Sequence, residues 1–148
     1  MIPLLSYNYA QQAYNRCRQI MVDCVLICVA FMLIGVFCFE WIPVPLLRLF
    51  SGSIIVHTIG AHAFRVIGLS FLPAVLSLMT PVFFQAIGAA IPSVLLTLTR
   101  QIFCLIPLFW LFSLLGLEYT WLAFPLSELI TGGLGLILYF RQLNKWKQ

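Results

Sequence analysis

The chain has 148 residues, of which 63% are hydrophobic and only 8% are charged. A soluble domain carries about 25% charged residues, so this chain has too little polar surface to cover a core in water. The composition therefore predicts an integral membrane protein. The net charge of +4 is too small and too scattered for a nucleic-acid-binding surface, and it serves better as a signal of membrane topology.

Four segments are long and apolar enough to cross a bilayer, which takes about 20 residues of helix. In chain order they cover residues 21–39, 66–88, 94–115 and 119–140. The separators EWIPVPLLRLFSGS, GAAIPS and LGLEY contain the proline, glycine and serine residues that are typical of loops. The sequence therefore predicts an all-α fold: one transmembrane domain over residues 1–148, with four transmembrane helices.

The basic residues orient these four spans. Both chain ends and the link between the second and third spans fall on one side of the membrane. That side carries six basic residues: Arg16, Arg18, Arg100, Arg141, Lys145 and Lys147. The other side carries Arg48 and Arg65. Because cytoplasmic loops are enriched in lysine and arginine, we expect a multi-pass protein of the cell membrane with both termini in the cytoplasm.

Glu128 is the acidic residue that lies well inside a predicted span. A charge at the bilayer centre costs a few kcal/mol, so such acids face protein and often serve function. At helical spacing Glu128 shares a face with Gly132 and Gly135, beside a ladder of small residues that includes Ser127 and Thr131. Small residues allow a neighbouring helix to approach closely. We expect the carboxylate to face protein, either as a coupling residue or as a helix-packing residue without a role in transport.

Gln85 and four prolines are the other candidates for a role in helix packing or transport. Gln85 is interpreted as a hydrogen-bonding residue between helices, with a place in a transport pathway as the alternative. Pro73, Pro81, Pro107 and Pro125 all lie inside predicted spans. Since a proline inside a helix frees a carbonyl group and bends the chain, the pattern indicates helices that bend, as those of transporters do.

Patterns of catalytic and metal-binding sites are missing from the sequence. The five cysteines lack CxxC spacing, and His57 and His62 are spaced unlike the ligands of a zinc site. There is no GxSxG, no HExxH, no phosphate-binding loop with lysine and no pair of intramembrane acids. We therefore expect no enzyme activity, no cofactor and no resident metal.

Three stretches, in order along the chain, resemble the MATE (multidrug and toxic compound extrusion) family. IPLLSYNYAQQAYNR is similar to the family's segment before the ninth helix, FFQAIGAAIPSVLLTLTRQ to the junction of the tenth and eleventh helices, and GLEYTWLAFPLSELIT to the entry of the last helix. PLLRLFS also resembles the segment after the ninth helix. The matching residues are Pro3, Tyr7, Asn8, Tyr9, Tyr14 and Arg16, then Phe84, Gln85, Gly88, Pro92, Arg100 and Gln101, and finally Trp121, Ala123, Pro125 and Glu128.

The resemblance implies an efflux transporter. Members of the family have twelve helices in two lobes around a central cavity, and they export drugs or metabolites in exchange for sodium ions or protons. This chain would correspond to helices nine to twelve, an incomplete C-terminal lobe. The resemblance thus implies organic cationic or amphipathic substrates, a sodium ion or proton as coupling ion, and assembly with missing transporter segments or with itself. The family's coupling acids on helices one and seven have no counterpart, because a chain that corresponds to helices nine to twelve lacks those helices. The acid on helix ten has none either, since residues 60–100, which span that helix, contain no Asp or Glu.

Three alternatives stay open. The chain is a non-transporting membrane protein or a gene remnant that keeps the packing of the family. It is a flippase of polysaccharide or lipid-linked precursors, which the wider superfamily includes. The third alternative is a small four-helix exporter that dimerises, and it is disfavoured because such an exporter carries its acid in the first span whereas Glu128 lies in the last.

Overall fold

A computed structural model describes residues 1–48 and 54–146 of the chain. All regular elements in these two ranges are helical, and one of them is a π-helical segment. In chain order the elements are α1 (Ile2–Ala10), α2 (Tyr14–Trp41), α3 (Pro43–Arg48), α4 (Ile54–Gly68), α5 (Phe71–Ala86), α6 (Ala90–Leu98), the π segment (Thr99–Leu105), α7 (Ile106–Ser113), α8 (Leu117–Thr120) and α9 (Ala123–Lys145). Lys147 and the end of the PLLRLFS stretch lie outside the described residues.

Three stretches are long and apolar enough to cross a membrane: Tyr14–Trp41, Ala90–Ser113 and Leu117–Lys145. A fourth crossing results if Ile59–Gly68 and Phe71–Ala86, which meet at an angle of 52°, form one bent span. The predicted fold class, an all-α membrane protein, is confirmed. The break at residues 69–70 falls inside the second predicted span, 66–88, so that segment consists of the end of α4 and the whole of α5.

The prolines explain where the helices break or widen. Proline lacks an N–H, and its ring crowds the carbonyl of the residue four positions earlier. Pro73 follows the break at residues 69–70, Pro125 follows the break between α8 and α9, and Pro107 follows the π segment. Pro81 lies inside α5 and leaves the carbonyl of Ser77 without its helical donor.

Helices α5 and α9 pack closely against each other, because glycine lines the contact. A methyl group added at Gly132 would lie 3.3 Å from the backbone oxygen of Pro73. One added at Gly135 would lie 2.9 Å from Cβ of Thr80. Small residues of this kind bring two helix backbones together within a membrane. The predicted face of Glu128 is therefore the face that packs against α5.

Both ends of the chain and the turn between α5 and α6 meet at one end of the bundle. The buried cluster there includes Leu5, Phe83 and Tyr139. Trp146 stacks on Tyr14 with ring centroids 4.8 Å apart. In the turn, Gly88 has φ of 75°, a left-handed conformation that suits glycine. Helix α5 ends there because the Gly88 N–H donates to the carbonyl of Gln85 and the Ala89 N–H donates to that of Phe84. This arrangement agrees with an even number of crossings.

Arg100 lies inside the apolar helical stretch Ala90–Ser113, so it is a weaker marker of membrane topology than a loop residue would be. Helix α6 begins at Ala90, directly after the Gly88 turn, so most of GAAIPS belongs to the helix and not to a loop. At a rise of about 1.5 Å per residue, Arg100 lies about 15 Å along the helix from Ala90. Without Arg100, the excess of basic residues on the side of the chain ends falls from six against two to five against two.

Candidate functional site

Glu128 lies at the centre of a polar contact between three elements. Its residue surface is 9% exposed, and the two oxygens of its carboxylate have different partners. The hydroxyl group of Ser77, on α5, donates a hydrogen bond to Oε2. The guanidinium of Arg100, in the π segment, approaches Oε1 through Nε at 3.3 Å. Among the side chains that the structure describes, this is the one ion pair. We call these three residues the Ser77–Glu128–Arg100 network.

The local backbone explains how the network forms. Glu128 projects from α9 onto α5 because Gly132 and Gly135, on the same face, allow the two helices to approach. The π segment widens the helix ahead of Pro107, and such π bulges recur at functional sites. Arg100 is the second residue of this segment. The network therefore joins three elements that belong to different candidate membrane spans.

The other hydroxyl groups around Glu128 are engaged elsewhere or have no partner. Those of Thr80 and Ser127 donate to carbonyls of their own helices, at 2.8 and 2.9 Å. The Thr131 hydroxyl is fully buried and has no hydrogen-bond partner in the described part of the chain. Ser77 and Arg100 are thus the side chains that compensate the burial of the carboxylate. Without them, a buried charge would carry a desolvation penalty of several kcal/mol.

A groove of about 360 Å³ opens beside the network, between α5 and the helix formed by α6 and the π segment. Its polar side chains are Ser77, Gln85, Ser93, Thr97 and Arg100. Its apolar walls are Leu78, Pro81, Val82, Val94 and Leu98. A concave, mostly apolar site with a few converging polar groups is the usual form of a small-molecule site.

The three candidates predicted from the sequence are in different places. Glu128 lies within the network, behind the wall of the groove. Gln85 is exposed and lines the groove, one turn before the Gly88 turn. Pro125 lies in the first turn of α9, three residues before Glu128, and it lines neither the groove nor the network.

Sequence reasoning missed Arg100 and Ser77 as site residues. The signal for Arg100 was present: it interrupts an apolar run that reaches from Ala90 to Ser113. A charge in such a run is a candidate functional residue by the same rule that identified Glu128. Ser77 gave no distinct signal, because a serine inside a membrane helix commonly bonds its own backbone.

A buried charge network beside a groove in a bundle of membrane helices is typical of transport proteins. The MatE family model matches residues 1–111, three quarters of the chain. The chain therefore belongs to the MATE family of membrane transporters. The match includes Ser77, Gln85 and Arg100, whereas Pro125 and Glu128 lie beyond it. Comparison with curated proteins and comparison with solved structures returned no match.

Proposed function

We propose that the chain takes part in multidrug efflux of the MATE type, as an antiporter of organic compounds against sodium ions or protons. We further propose that it forms a C-terminal portion of such a transporter, four helices of the second lobe. The observation that carries this proposal is the groove of about 360 Å³ with Arg100 and Gln85 on its wall. Its volume falls in the range of small-molecule sites, roughly 300–1,000 Å³.

Within this proposal the elements have distinct tasks. The groove contributes to the path of the organic substrate, and Gln85 is a polar contact at its end near the Gly88 turn. The Ser77–Glu128–Arg100 network holds α5, α9 and the π segment together. The 52° bend before α5 and the widened π segment supply places where helices change angle, as alternating access requires. Pro125, in the first turn of α9, favours the break between α8 and α9 because it lacks an N–H.

Glu128 is the proposed coupling residue, and its surroundings define how it would act. A proton or sodium ion that binds the carboxylate must compete with the guanidinium of Arg100, 3.3 Å from Oε1. Ion binding would therefore release Arg100, while the return of Arg100 would expel the ion. A competition of this kind links ion occupancy to the position of the π segment relative to α9.

A flippase of acidic lipid-linked precursors is the second candidate. It is favoured by the charge of the groove wall, where Arg100 is the charged residue and no acid is present among the described lining residues. A cationic drug gains nothing from such a wall, whereas an acidic headgroup does. The flippase and the drug exporter differ in substrate, so transport assays with both types of compound separate them.

Dye efflux from cells that lack their own exporters tests the proposal. We expect the chain, co-expressed with the missing transporter segments, to lower retention of an organic dye, and Glu128→Gln to abolish this effect; efflux by the chain alone would contradict its assignment as an incomplete portion. Glu118→Gln, which removes an exposed acid at the start of α8, is the matched control and should leave efflux unchanged. Dye retention that does not respond to the chain even when the missing segments are present would favour the non-transporting alternative. Efflux that persists in Glu128→Gln would remove Glu128 as the coupling residue.

We also propose that the protein resides in the cell membrane with both termini in the cytoplasm. The support is the five-to-two distribution of basic residues, together with the meeting of both chain ends at one end of the bundle. A fluorescent protein fused after the C-terminus should fold and fluoresce, and alkaline phosphatase fused there should be inactive. An active phosphatase at that position would reverse the orientation.

A further inference from the structure

Arg100 has more hydrogen-bond donors than its surroundings use. A guanidinium carries five N–H groups in a rigid, planar fork. One carboxylate oxygen of Glu128 lies close to the Nε atom of Arg100, and the other oxygen accepts a hydrogen bond from Ser77. No other residue in the described part of the chain accepts a hydrogen bond from the guanidinium. Even a two-point contact with Glu128 would leave three N–H groups without a protein acceptor.

These donors are on the accessible side of the ion pair. The side chain of Arg100 is 28% exposed and that of Glu128 is 12% exposed. Arg100 lines the groove and Glu128 does not. The groove therefore presents a positive charge at its wall, with the compensating carboxylate behind it.

The rest of the groove wall fits an amphipathic ligand. Neutral hydrogen-bonding side chains, Ser93 and Thr97, lie one to two turns from Arg100 along the same helix. Apolar side chains cover both walls: Leu78 and Val82 from α5, Val94 and Leu98 from α6. A small hydrophilic anion would leave these apolar walls exposed to water. An anion that carries a hydrocarbon chain would cover them.

We propose that the groove binds the acidic headgroup of an amphipathic molecule, a carboxylate or a phosphate, with Arg100 as its ligand and Glu128 as the residue that positions Arg100. Planar, multiple hydrogen bonds to carboxylate and phosphate are the particular strength of arginine. This inference names the substrate class of the groove on which the proposed function rests. Glu128 competes with the ligand for the same guanidinium, so its negative charge weakens binding while its contact orients the side chain.

The test measures binding of radiolabelled dodecyl phosphate to the purified full chain in a non-ionic detergent. Unlabelled dodecyl phosphate should compete with the probe, while dodecyltrimethylammonium, with the same tail and a cationic head, should not. Inorganic phosphate should compete at least tenfold more weakly, because it lacks the tail. Equal competition by the ammonium compound would overturn the acidic-headgroup assignment, and equal competition by inorganic phosphate would overturn the amphipathic one.

Variants assign the binding to Arg100. Arg100→Gln should weaken binding at least tenfold, and Arg100→Lys should restore part of it, while Arg65→Gln removes an equal charge outside the groove and should change nothing. Glu128→Gln should tighten binding, on the order of threefold, because it removes the competing anion while the amide oxygen of glutamine still accepts from the guanidinium and keeps Arg100 in place. Thr97→Trp fills the groove from an exposed position and should weaken binding even if Arg100→Gln fails to fold. Unchanged binding in folded Arg100→Gln or in Thr97→Trp would overturn the proposal, as would weaker binding in Glu128→Gln.

Binding and transport remain separable in this design. A chain that binds dodecyl phosphate through Arg100 but transports no dye would retain the inferred site and lose the proposed efflux function. A chain that transports dye and does not bind the probe would retain efflux and lose the acidic ligand.

Discussion

Glu128 shows how a carboxylate is accommodated within a membrane helix. Removing a charge from water is costly, and attraction to a partner compensates only when the remaining lone pairs are also satisfied. Glu128 meets both conditions, since Arg100 lies 3.3 Å from one oxygen and Ser77 donates to the other. Each charge of the pair lowers the cost of burying the other, so removing one residue would leave the other as an unpaired buried charge.

We expect this dependence to appear in a double-mutant cycle. Glu128→Gln and Arg100→Gln should each lower the free energy of unfolding by about 2 kcal/mol, less than the 3–5 kcal/mol of fully buried pairs because Arg100 keeps access to the groove. The double variant should recover part of the loss, with a coupling energy of about 1–3 kcal/mol. Unfolding of the detergent-solubilised chain, followed by far-UV circular dichroism, measures these values. Losses that simply add would show that the two side chains do not interact.

The burial of Glu128 could be predicted from its own sequence surroundings, but its partners could not. Glycine and small residues at helical spacing identify the packed face of a helix from that helix alone. A partner depends on which residue of another helix lies at the same depth, and that depends on where the other helix begins. Arg100 was assigned to the cytoplasmic side because GAAIPS was taken as a loop, although helix α6 begins within it, at Ala90.

At the scale of elements, the contact between α5 and α9 fixes the position of the network. Ser77 and Thr80 lie on the α5 face that Gly132 and Gly135 approach. If the helices moved apart, the Ser77 hydroxyl would lose Glu128, and the carboxylate would lose its second partner. Close packing of α5 and α9 is therefore a condition for the network and not only a source of stability.

A matched pair of glycine variants tests this condition. Gly135→Ala places a methyl group 2.9 Å from Cβ of Thr80 and should lower the free energy of unfolding by about 1–3 kcal/mol, the usual cost of overpacking. Gly133→Ala, two residues away, meets nothing within 4 Å and should be neutral or stabilising by up to about 1 kcal/mol, since alanine favours helix more than glycine does. The same unfolding measurement applies. Equal effects of the two substitutions would contradict the close approach of α5 and α9.

The proline pattern predicted bending in general, but the sequence alone did not reveal its form. The position of a proline identifies the helical hydrogen bond that is missing. The helix can then break, kink or form a wider turn at that point. Pro73 and Pro125 follow breaks, Pro107 follows a π segment, and Pro81 stays inside α5. Which of these geometries forms depends on packing against neighbouring helices. The local sequence around a proline does not contain that information.

For the whole molecule, the distribution of exposed apolar side chains is that of a membrane protein. Only 6% of the residues in the most apolar stretch of α2 are buried, and large side chains such as Phe31 and Trp110 are exposed. Lipid or further helices of a transporter would cover such surfaces. The groove differs from them, because its wall combines a charge with four neutral polar side chains. We expect it to hold water inside the membrane.

Thiol labelling in sealed membrane vesicles tests most directly whether this groove is an aqueous site. The five natural cysteines, Cys17, Cys24, Cys28, Cys38 and Cys104, are first replaced. Thr97→Cys then places a thiol in the groove, and Leu95→Cys places one at nearly the same depth on the exposed apolar face of the same helix. We expect a membrane-impermeant, anionic methanethiosulfonate to react at least tenfold faster with the cysteine at position 97. Equal rates at the two positions would contradict a water-filled groove.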